Sequence, residues 1–339
     1  MIKNILNNIV RILKNNLFII ISFVVTFFIL TFPLPYYIET PGGIINVNER
    51  IKIDNKKELS GSFNMVYVGE LRATIPTLII AKFNKNWDII KTEEVVANNE
   101  NEKDMYLRDR LYLKESNKNA IILAYKKANK EVSITDDQVI VTYIDEISET
   151  DLKIGDQIIS IDNEIINSKE QLKNILTKKE VGEIVNFHIL RDNKEIVSTA
   201  KIIEYDNNKI IGILVTENKD IKTNPNIEIN FKSSESGSSG GLMMALTIYN
   251  LLVDDDITKG YKIIGTGTID ENGNVGSIDG IKYKLKVAVD EKADIFFVPS
   301  EKNYEEAIKL SKENNYDINI VSIETFDDAL NYLQNKKHK

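Results

Sequence analysis

From Leu17 to Phe32 the chain is apolar apart from Ser22, Thr26 and Thr31, and Leu34, Tyr36 and Tyr37 extend the run. About 20 apolar residues carry a helix across a bilayer, so this segment reaches that length by laying its Pro33–Tyr37 tail at the interface. Lys3, Arg11 and Lys14 precede it, and the first acidic residue of the chain is Glu39. Positive charge stays on the cytoplasmic side, which puts the N-terminus inside and everything beyond about residue 37 outside. A cleaved signal peptide would show small residues after the apolar core, where this chain has Thr31-Phe-Pro-Leu-Pro-Tyr-Tyr37. The expectation is a single-pass protein of the cell membrane, with residues 1–36 as cytoplasmic N-terminus and transmembrane anchor.

The rest of the chemistry is bounded by scarcity. Among 339 residues there is no cysteine and there are only two histidines, with a formal charge of −8. Thiol nucleophiles, disulfide frameworks and cysteine-ligated zinc are excluded. His338 is the penultimate residue, in Lys-Lys-His-Lys, and His188 lies in an alternating, strand-like run. Neither residue suits a Ser-His-Asp triad or a metal site. No basic stripe interleaved with aromatics appears, which speaks against nucleic acid, and no Gly-x-x-x-x-Gly-Lys-[Ser/Thr] loop appears to bind a nucleotide. No cofactor or metal is expected.

After the turn cluster Glu39-Thr-Pro-Gly-Gly43, short apolar runs from Ile44 to about Val96 suggest strands. A polar stretch, Asn98 to Asp109, leads to a short helix over Ser116–Asn129, and residues 37–130 read as an extracellular spacer. From about residue 131 the texture changes. Val139-Ile-Val141 reads as a strand, and Leu152-Lys-Ile-Gly-Asp-Gln-Ile-Ile-Ser-Ile-Asp162 follows as a turn feeding a second one. A helix over Ser168–Leu176 and strands at Val185–Leu190 and Ile196–Ile203 complete the set. This order resembles the PDZ domains of bacterial membrane and periplasmic proteases and is assigned to residues 131–205. The resemblance implies a peptide bound as an added strand, with the groove near Thr135–Val141 and the helix Ser168–Leu176.

The last 130 or so residues carry candidate catalytic groups. Residues 233–241 hold five serines and three glycines, and the apolar stretch Leu242-Met-Met-Ala-Leu-Thr-Ile-Tyr-Asn-Leu-Leu252 follows directly. Such composition reads as a linker in isolation, but a linker does not normally run into a helix that must be buried. A serine at the start of that helix stands among unpaired backbone N–H groups at the positive end of the macrodipole. An oxyanion is stabilised there. With histidine scarce, lysine is the remaining base, provided its pKa is lowered. Gly265-Thr-Gly-Thr-Ile269, a Gly273-Asn274 turn and Val275-Gly276 read as a hairpin into a helix over Ile281–Glu291. Lys282 falls in that helix's first turn, where the dipole disfavours an ammonium, with Lys284 and Lys286 close by.

Gly237-Ser-Ser-Gly-Gly241 resembles the Gly-Pro-Ser-Ala-Gly nucleophile motif of the Lon-type peptidase domain, and Asp279-Gly-Ile-Lys-Tyr-Lys284 resembles its Gly-Gly-Leu-Lys-Glu-Lys motif. Phe296-Phe-Val-Pro299 followed by Asn303 agrees in order. The likeness runs from Leu34-Pro-Tyr-Tyr-Ile-Glu-Thr-Pro-Gly-Gly43 through Ala124-Tyr-Lys-Lys-Ala128 to Leu242–Asn250. It points to the membrane-anchored PDZ–Lon-type serine peptidases of Gram-positive bacteria, the YlbL-like proteins. The implied architecture is an α+β multidomain chain: a transmembrane helix, a PDZ domain and a Lon-type α/β proteolytic domain over residues 206–335. The implied activity is an ATP-independent serine endopeptidase acting on extracytoplasmic proteins or peptides. Ser239 is its nucleophile, Lys282 its base and Thr266 a lysine-positioning hydroxyl, with backbone N–H groups around Ser238 and Gly240 forming the oxyanion hole.

The motifs depart from the family pattern at four places. Ser238 stands for Pro, Gly240 for Ala, Ser277 for Pro and Asp279 for Gly. A carboxylate at 279 beside Lys282 would raise the lysine's pKa. The C-terminal processing peptidases also combine PDZ, Ser and Lys, but their catalytic elements flank the PDZ domain, whereas here both dyad residues follow it. A membrane-tethered PDZ adaptor with an inactive peptidase domain is the alternative that the altered motifs keep open.

Overall fold

The computed structural model describes residues 11, 13–54, 57–96 and 100–339. Lys3 and Asn98, which entered the expectations above, lie outside the described residues. The first elements in chain order are α1 (Leu17–Thr31), β1 (Tyr36–Asn46), β2 (Ile51–Ile53), β3 (Ser62–Arg72), α2 (Ile75–Phe83), β4 (Asp88–Lys91) and the single turn α3 (Thr92–Val95). Two compact units divide the chain: one closes its first segment at Pro41 and takes in Val68–Val95, the other holds Gly42–Tyr67 and Val96–Lys339.

In the first unit α1 is apolar and buries none of its residues. It has 15 residues, and among the described residues no helix is long and apolar enough to cross a membrane. The expected span is shortened because Phe32, with ψ 125°, is already extended ahead of Pro33, as the residue before a proline prefers. The Pro33–Tyr37 tail therefore passes into strand rather than lengthening the helix. Tyr36 to Glu39 pair antiparallel with Lys91 to Asp88. The sequence Ile75-Pro-Thr-Leu-Ile-Ile-Ala-Lys-Phe83, expected among strands, is helical. Thr74 and Thr77 form a capping box with proline in the first turn, a start signal that outweighs β-branched content. Ile38, Ala73 and Ala81 are buried there with Leu34, Leu71, Leu78 and Trp87 packed on them.

The second unit continues with α4 (Glu102–Lys127), β5 (Glu131–Ile144), β6 (Gln157–Ile161), β7 (Glu164–Ile165), α5 (Lys169–Leu176), β8 (Ile184–Arg191) and β9 (Lys194–Lys201). The hairpin β10 (Ile203–Tyr205) and β11 (Asn208–Ile210), then β12 (Ile213–Asn224) and β13 (Ile227–Ile229), lead onward. The C-terminal part is α6 (Gly241–Leu252), β14 (Lys262–Gly265), β15 (Thr268–Ile269), β16 (Val275–Gly276), α7 (Ile281–Asp290), β17 (Ile295–Pro299), α8 (Lys302–Asn314), β18 (Ile320–Ile323) and α9 (Phe326–Gln334).

An antiparallel sheet in the order β12–β5–β6–β8–β9, with β7 on β6, forms the middle of the chain. Its inward residues Val139, Val141, Ile158, Ile161, Phe187 and Ile189 meet Leu172, Ile175 and Leu176 of α5. Local chemistry sets its turns. Asp162-Asn163 and Asp192-Asn193 both take positive φ, the twist that two-residue hairpins require. In the Gly155-Asp156 turn, Gly155 has φ +93°. Asp156 accepts from Lys153 N at 2.7 Å and from Arg191 Nε and Nη2 at 2.7 and 2.6 Å. The helix expected over Ser168–Leu176 is present, with the Ser168 hydroxyl accepting from Gln171 N.

The strands β18, β17, β14 and β3 pair in parallel in that order. Behind them lies α6, whose Leu242, Met243, Met244, Ala245 and Leu246 have no exposed surface. Residues expected to form a spacer supply much of the packing here. Val47, Ile51, Phe63 and Met65 join Ala120, Ile121, Leu123, Ala124 and Tyr125 of α4 in one cluster with α6. The helix expected from Ser116 in fact starts at Glu102, where Asn101 and Asp104 form a capping box. The chain is thus a mixed α+β multidomain protein.

Candidate functional site

The serine-rich loop is not a free linker. Gly237 N donates to Asp109 O, Arg110 Nη1 donates to the carbonyls of Lys232 and Glu235, and Arg50 pairs with Glu235 at 2.5 Å. The loop delivers the chain into α6 with Gly240 as N-cap. A side chain at Gly241 would stand 2.6 Å from Ser116 Oγ and 3.0 Å from Ile269 N, so the close approach of α4 and β15 requires glycine there. Ser116 Oγ donates to Ser238 O at 3.1 Å.

Ser239, half-buried, is fixed through its carbonyl, which accepts from Gly267 N at 2.7 Å and from Thr266 Oγ1 at 3.1 Å. Among the described residues, the N–H groups of Ser239 and Gly240 donate to no other residue. Thr266 is completely buried. Its hydroxyl in turn accepts from Lys284 Nζ at 3.2 Å.

The amine that the structure brings to Thr266 is therefore that of Lys284. Lys282, the lysine expected from the sequence, is half-exposed, with its ammonium 5.5 Å from the ring centroid of Tyr283. The reason is helical geometry: residues two apart point to opposite sides of a helix. On α7, Ile281, Lys284, Leu285 and Ala288 share the buried face, while positions 282 and 286 lie away from it. Lys284 is 4 % exposed. Burial lowers its pKa to about 8, against a smaller upward pull from Asp279. Asp279 itself is exposed, which limits that pull. Asn303, 6 % exposed, clamps the approach to α7: its amide accepts from Ile278 N at 2.9 Å and donates to Ile278 O at 2.8 Å.

A cleft of about 450 Å³ opens beside Ser238, between the hairpin β15–β16 and α4. Tyr112, Glu115, Ser116 and Asn119 form its helical wall, and Asn119 Nδ2 donates to Ile269 O at 3.3 Å. The sequence reading assigned no site residue to α4. The sequence signal there is the apolar run Ala120-Ile-Ile-Leu-Ala-Tyr125, all of it buried. Among the described residues no group of His, Asp and Glu side chains has the disposition of a metal site.

The groove expected on β5 moves. Val139 and Ile140 pair with β12 on one side and β6 on the other, so this part of β5 has no open edge to accept a peptide. The edge strand is β12, and α5 lies against it, with Lys169 N donating to Glu217 Oε1 at 2.8 Å. Glu115 joins this edge to the cleft. Its carboxylate receives Lys169 Nζ at 2.6 Å and faces Glu217 N at 3.5 Å.

Residues 115–202 match the PDZ domain family, and the chain contains a PDZ domain. Among solved structures, the PDZ domain of an SdrC-like protein from Listeria monocytogenes is similar at 23 % identity, covering 24 % of this chain and 92 % of that one, with a TM-score of 0.23. The PDZ domain of an SdrC-like protein from Listeria innocua is similar at 27 % identity over 23 % of this chain and 92 % of that one, with a TM-score of 0.22. No curated protein matches the chain.

Proposed function

We propose that this chain is a membrane-anchored, ATP-independent serine endopeptidase in which Ser239 is the nucleophile and Lys284 the general base. The observation that carries the reading is the buried Lys284 amine on Thr266, whose hydroxyl also holds the Ser239 carbonyl. Neutral Lys284 takes the Ser239 hydroxyl proton as Oγ attacks a peptide carbonyl. The N–H groups of Ser239 and Gly240 receive the oxyanion. Collapse of the tetrahedral intermediate expels the leaving amine, which takes the proton from Lys284; the neutral Lys284 amine then takes a proton from a water that attacks the acyl-enzyme, and Ser239 Oγ leaves with that proton. Extracytoplasmic protein segments or peptides are the substrates. The exposed apolar helix α1, preceded by Arg11 and Lys14, supports attachment to the cell membrane.

The PDZ domain binds peptide or regulates cleavage. A peptide would add to β12 against α5, which requires Glu115 to leave Glu217 N. The test is cleavage of a fluorogenic peptide library, and labelling by a serine-directed fluorophosphonate, with wild type, Ser239→Ala and Lys284→Ala full-length protein in detergent. Loss of both signals in both variants supports the enzyme. Equal signals in Ser239→Ala reject it.

A second reading, a tethered PDZ adaptor without hydrolysis, is favoured by Ser238 and Gly240 at motif positions that resemble Pro and Ala sites elsewhere. Its mark is peptide binding by a wild-type protein that takes no probe.

A further inference from the structure

Residues 71–87, Leu-Arg-Ala-Thr-Ile-Pro-Thr-Leu-Ile-Ile-Ala-Lys-Phe-Asn-Lys-Asn-Trp, contain three cations and no acid. Within them α2 buries Ala81 and packs Leu78 into the small core of its unit. The opposite face is apolar and open: Ile75, Ile79, Ile80 and Phe83 are 38 %, 55 %, 52 % and 84 % exposed. Ile75, Ile79 and Phe83 follow at i, i+4 and i+8, which makes them one stripe. Soluble surfaces scatter such side chains singly and do not stack them on nine residues.

The position of α2 identifies what covers that stripe. Leu34, two residues after the apolar run ends, donates its N–H to Ala73 O at 2.8 Å, and Ala73 N donates to Tyr36 O at 2.9 Å. The residue capping α2, Thr74, is thus next to the point where the chain leaves α1, and α1 packs against α2. Arg72 binds Leu34 O and lies over the Tyr37 ring at 5.1 Å. Lys82 and Lys85 are exposed at the other end of the helix. Apolar side chains flanked by cations are the composition of a helix that lies in a headgroup layer.

From this we infer that α2 is a membrane-surface element: Ile75, Ile79, Ile80 and Phe83 sit in the acyl boundary of the outer leaflet, with Lys82 and Lys85 at anionic headgroups. The inference rests on the reading of α1 as a membrane anchor. It gives the short α1 a second lipid contact, so the first unit is held to the bilayer by two elements.

The absence of cysteine allows a direct test. Single-cysteine full-length proteins, Phe83→Cys and Ile79→Cys on α2, Phe23→Cys on α1 and Lys194→Cys on the exposed β8–β9 turn, carry an environment-sensitive nitrobenzoxadiazole label. They are reconstituted in phosphatidylcholine–phosphatidylglycerol vesicles with nitroxide-bearing lipids. The expected result is several-fold quenching and a blue shift at positions 83 and 79, as at 23, with none at 194. Quenching at 23 alone overturns the inference while the anchor stands. A blue shift at 79 and 83 without lipid quenching also overturns it, because a second protein copy then covers the stripe. No quenching at 23, 79 or 83 overturns both.

Discussion

Lys284 Nζ lies 3.2 Å from Thr266 Oγ1, and this one contact joins α7 to the carbonyl of Ser239 on the opposite side of the site. A lysine of ordinary pKa is an ineffective base at neutral pH, because almost none of it is neutral. Burial changes that for Lys284 by bringing its pKa to about 8. Cleavage should therefore rise about tenfold per pH unit below 8 and level off above it. Lys284→Ala should lose at least about a hundredfold in kcat/KM, while Lys282→Ala should stay within a few-fold. A pH–rate profile of peptide cleavage checks this. A flat profile between pH 6 and 8, or an inactive Lys282→Ala with an active Lys284→Ala, rejects the assignment.

The same burial has a consequence for stability. The folded-state pKa of Lys284 lies below its unfolded value of 10.5. Between about 8 and 10.5 the unfolded chain binds the extra proton, so stability rises with pH through that window. Below it the fold carries a cost of roughly 3 kcal/mol from the charged, buried amine. Lys284→Met should raise the unfolding midpoint at pH 7 and lose that advantage at pH 11. Thermal unfolding in detergent at both pH values measures it, and an equal difference at the two would show that the amine carries no such cost.

In the PDZ domain, Arg191 and Asp156 form a bidentate pair in which the Asp156 side chain is 1 % exposed. Removing the guanidinium leaves a buried carboxylate held only by Lys153 N. Arg191→Met should cost about 3 kcal/mol and loosen the turn that feeds β6. Adding Asp156→Asn should recover part of that loss, since the uncompensated charge is then gone. Urea unfolding and amide exchange of β6 and β8 read both variants, and a cost below about 0.5 kcal/mol would put the pair with ordinary surface ion pairs.

The PDZ domain was legible because its signals are local. Gly155 at positive φ, the Asp-Asn turns and the Ser168 cap each mark a boundary, and period-2 apolar residues fill the strands between them. The entry into α6 was legible for a related reason: a glycine-serine loop that runs straight into an apolar, buried helix is held by the core behind it. Lys284 was lost between two readings of one motif. The dipole argument favoured the first turn of α7, but the i, i+3, i+4, i+7 spacing of Ile281, Lys284, Leu285 and Ala288 marks the buried face, and desolvation outweighs the dipole. The partners of α4 and β3 lie over a hundred residues away in sequence, at Ser238, Ile269 and Ile263. The apolar run of α4 and the alternating pattern of β3 therefore marked a helix and a strand without showing which core they join. In α2 a short apolar run fits strand and helix equally, and only the Thr74 cap decided it.

Asp137 shows the reverse case of a carboxylate at a costly position. It faces Glu217, Lys219, Glu271 and Asp136, and its Oδ1 is buried without a hydrogen-bond partner among the described residues. Burial first, then the Glu217 charge, push its pKa up to about 6, with Lys219 pulling the other way. The folded-state value lies above the unfolded 3.8, so the ionised form opposes folding, and stability is gained as pH falls from about 6 toward 3.8. Asp137→Asn removes the charge and keeps the shape. After allowance for solvent screening of this half-exposed group, it should stabilise the fold at pH 7 by about 1 kcal/mol. At pH 4 the wild-type carboxyl is largely protonated and the two proteins should unfold at nearly the same denaturant concentration. An Asn variant less stable than wild type at pH 7 would mean that the Lys219 attraction outweighs burial and Glu217 together.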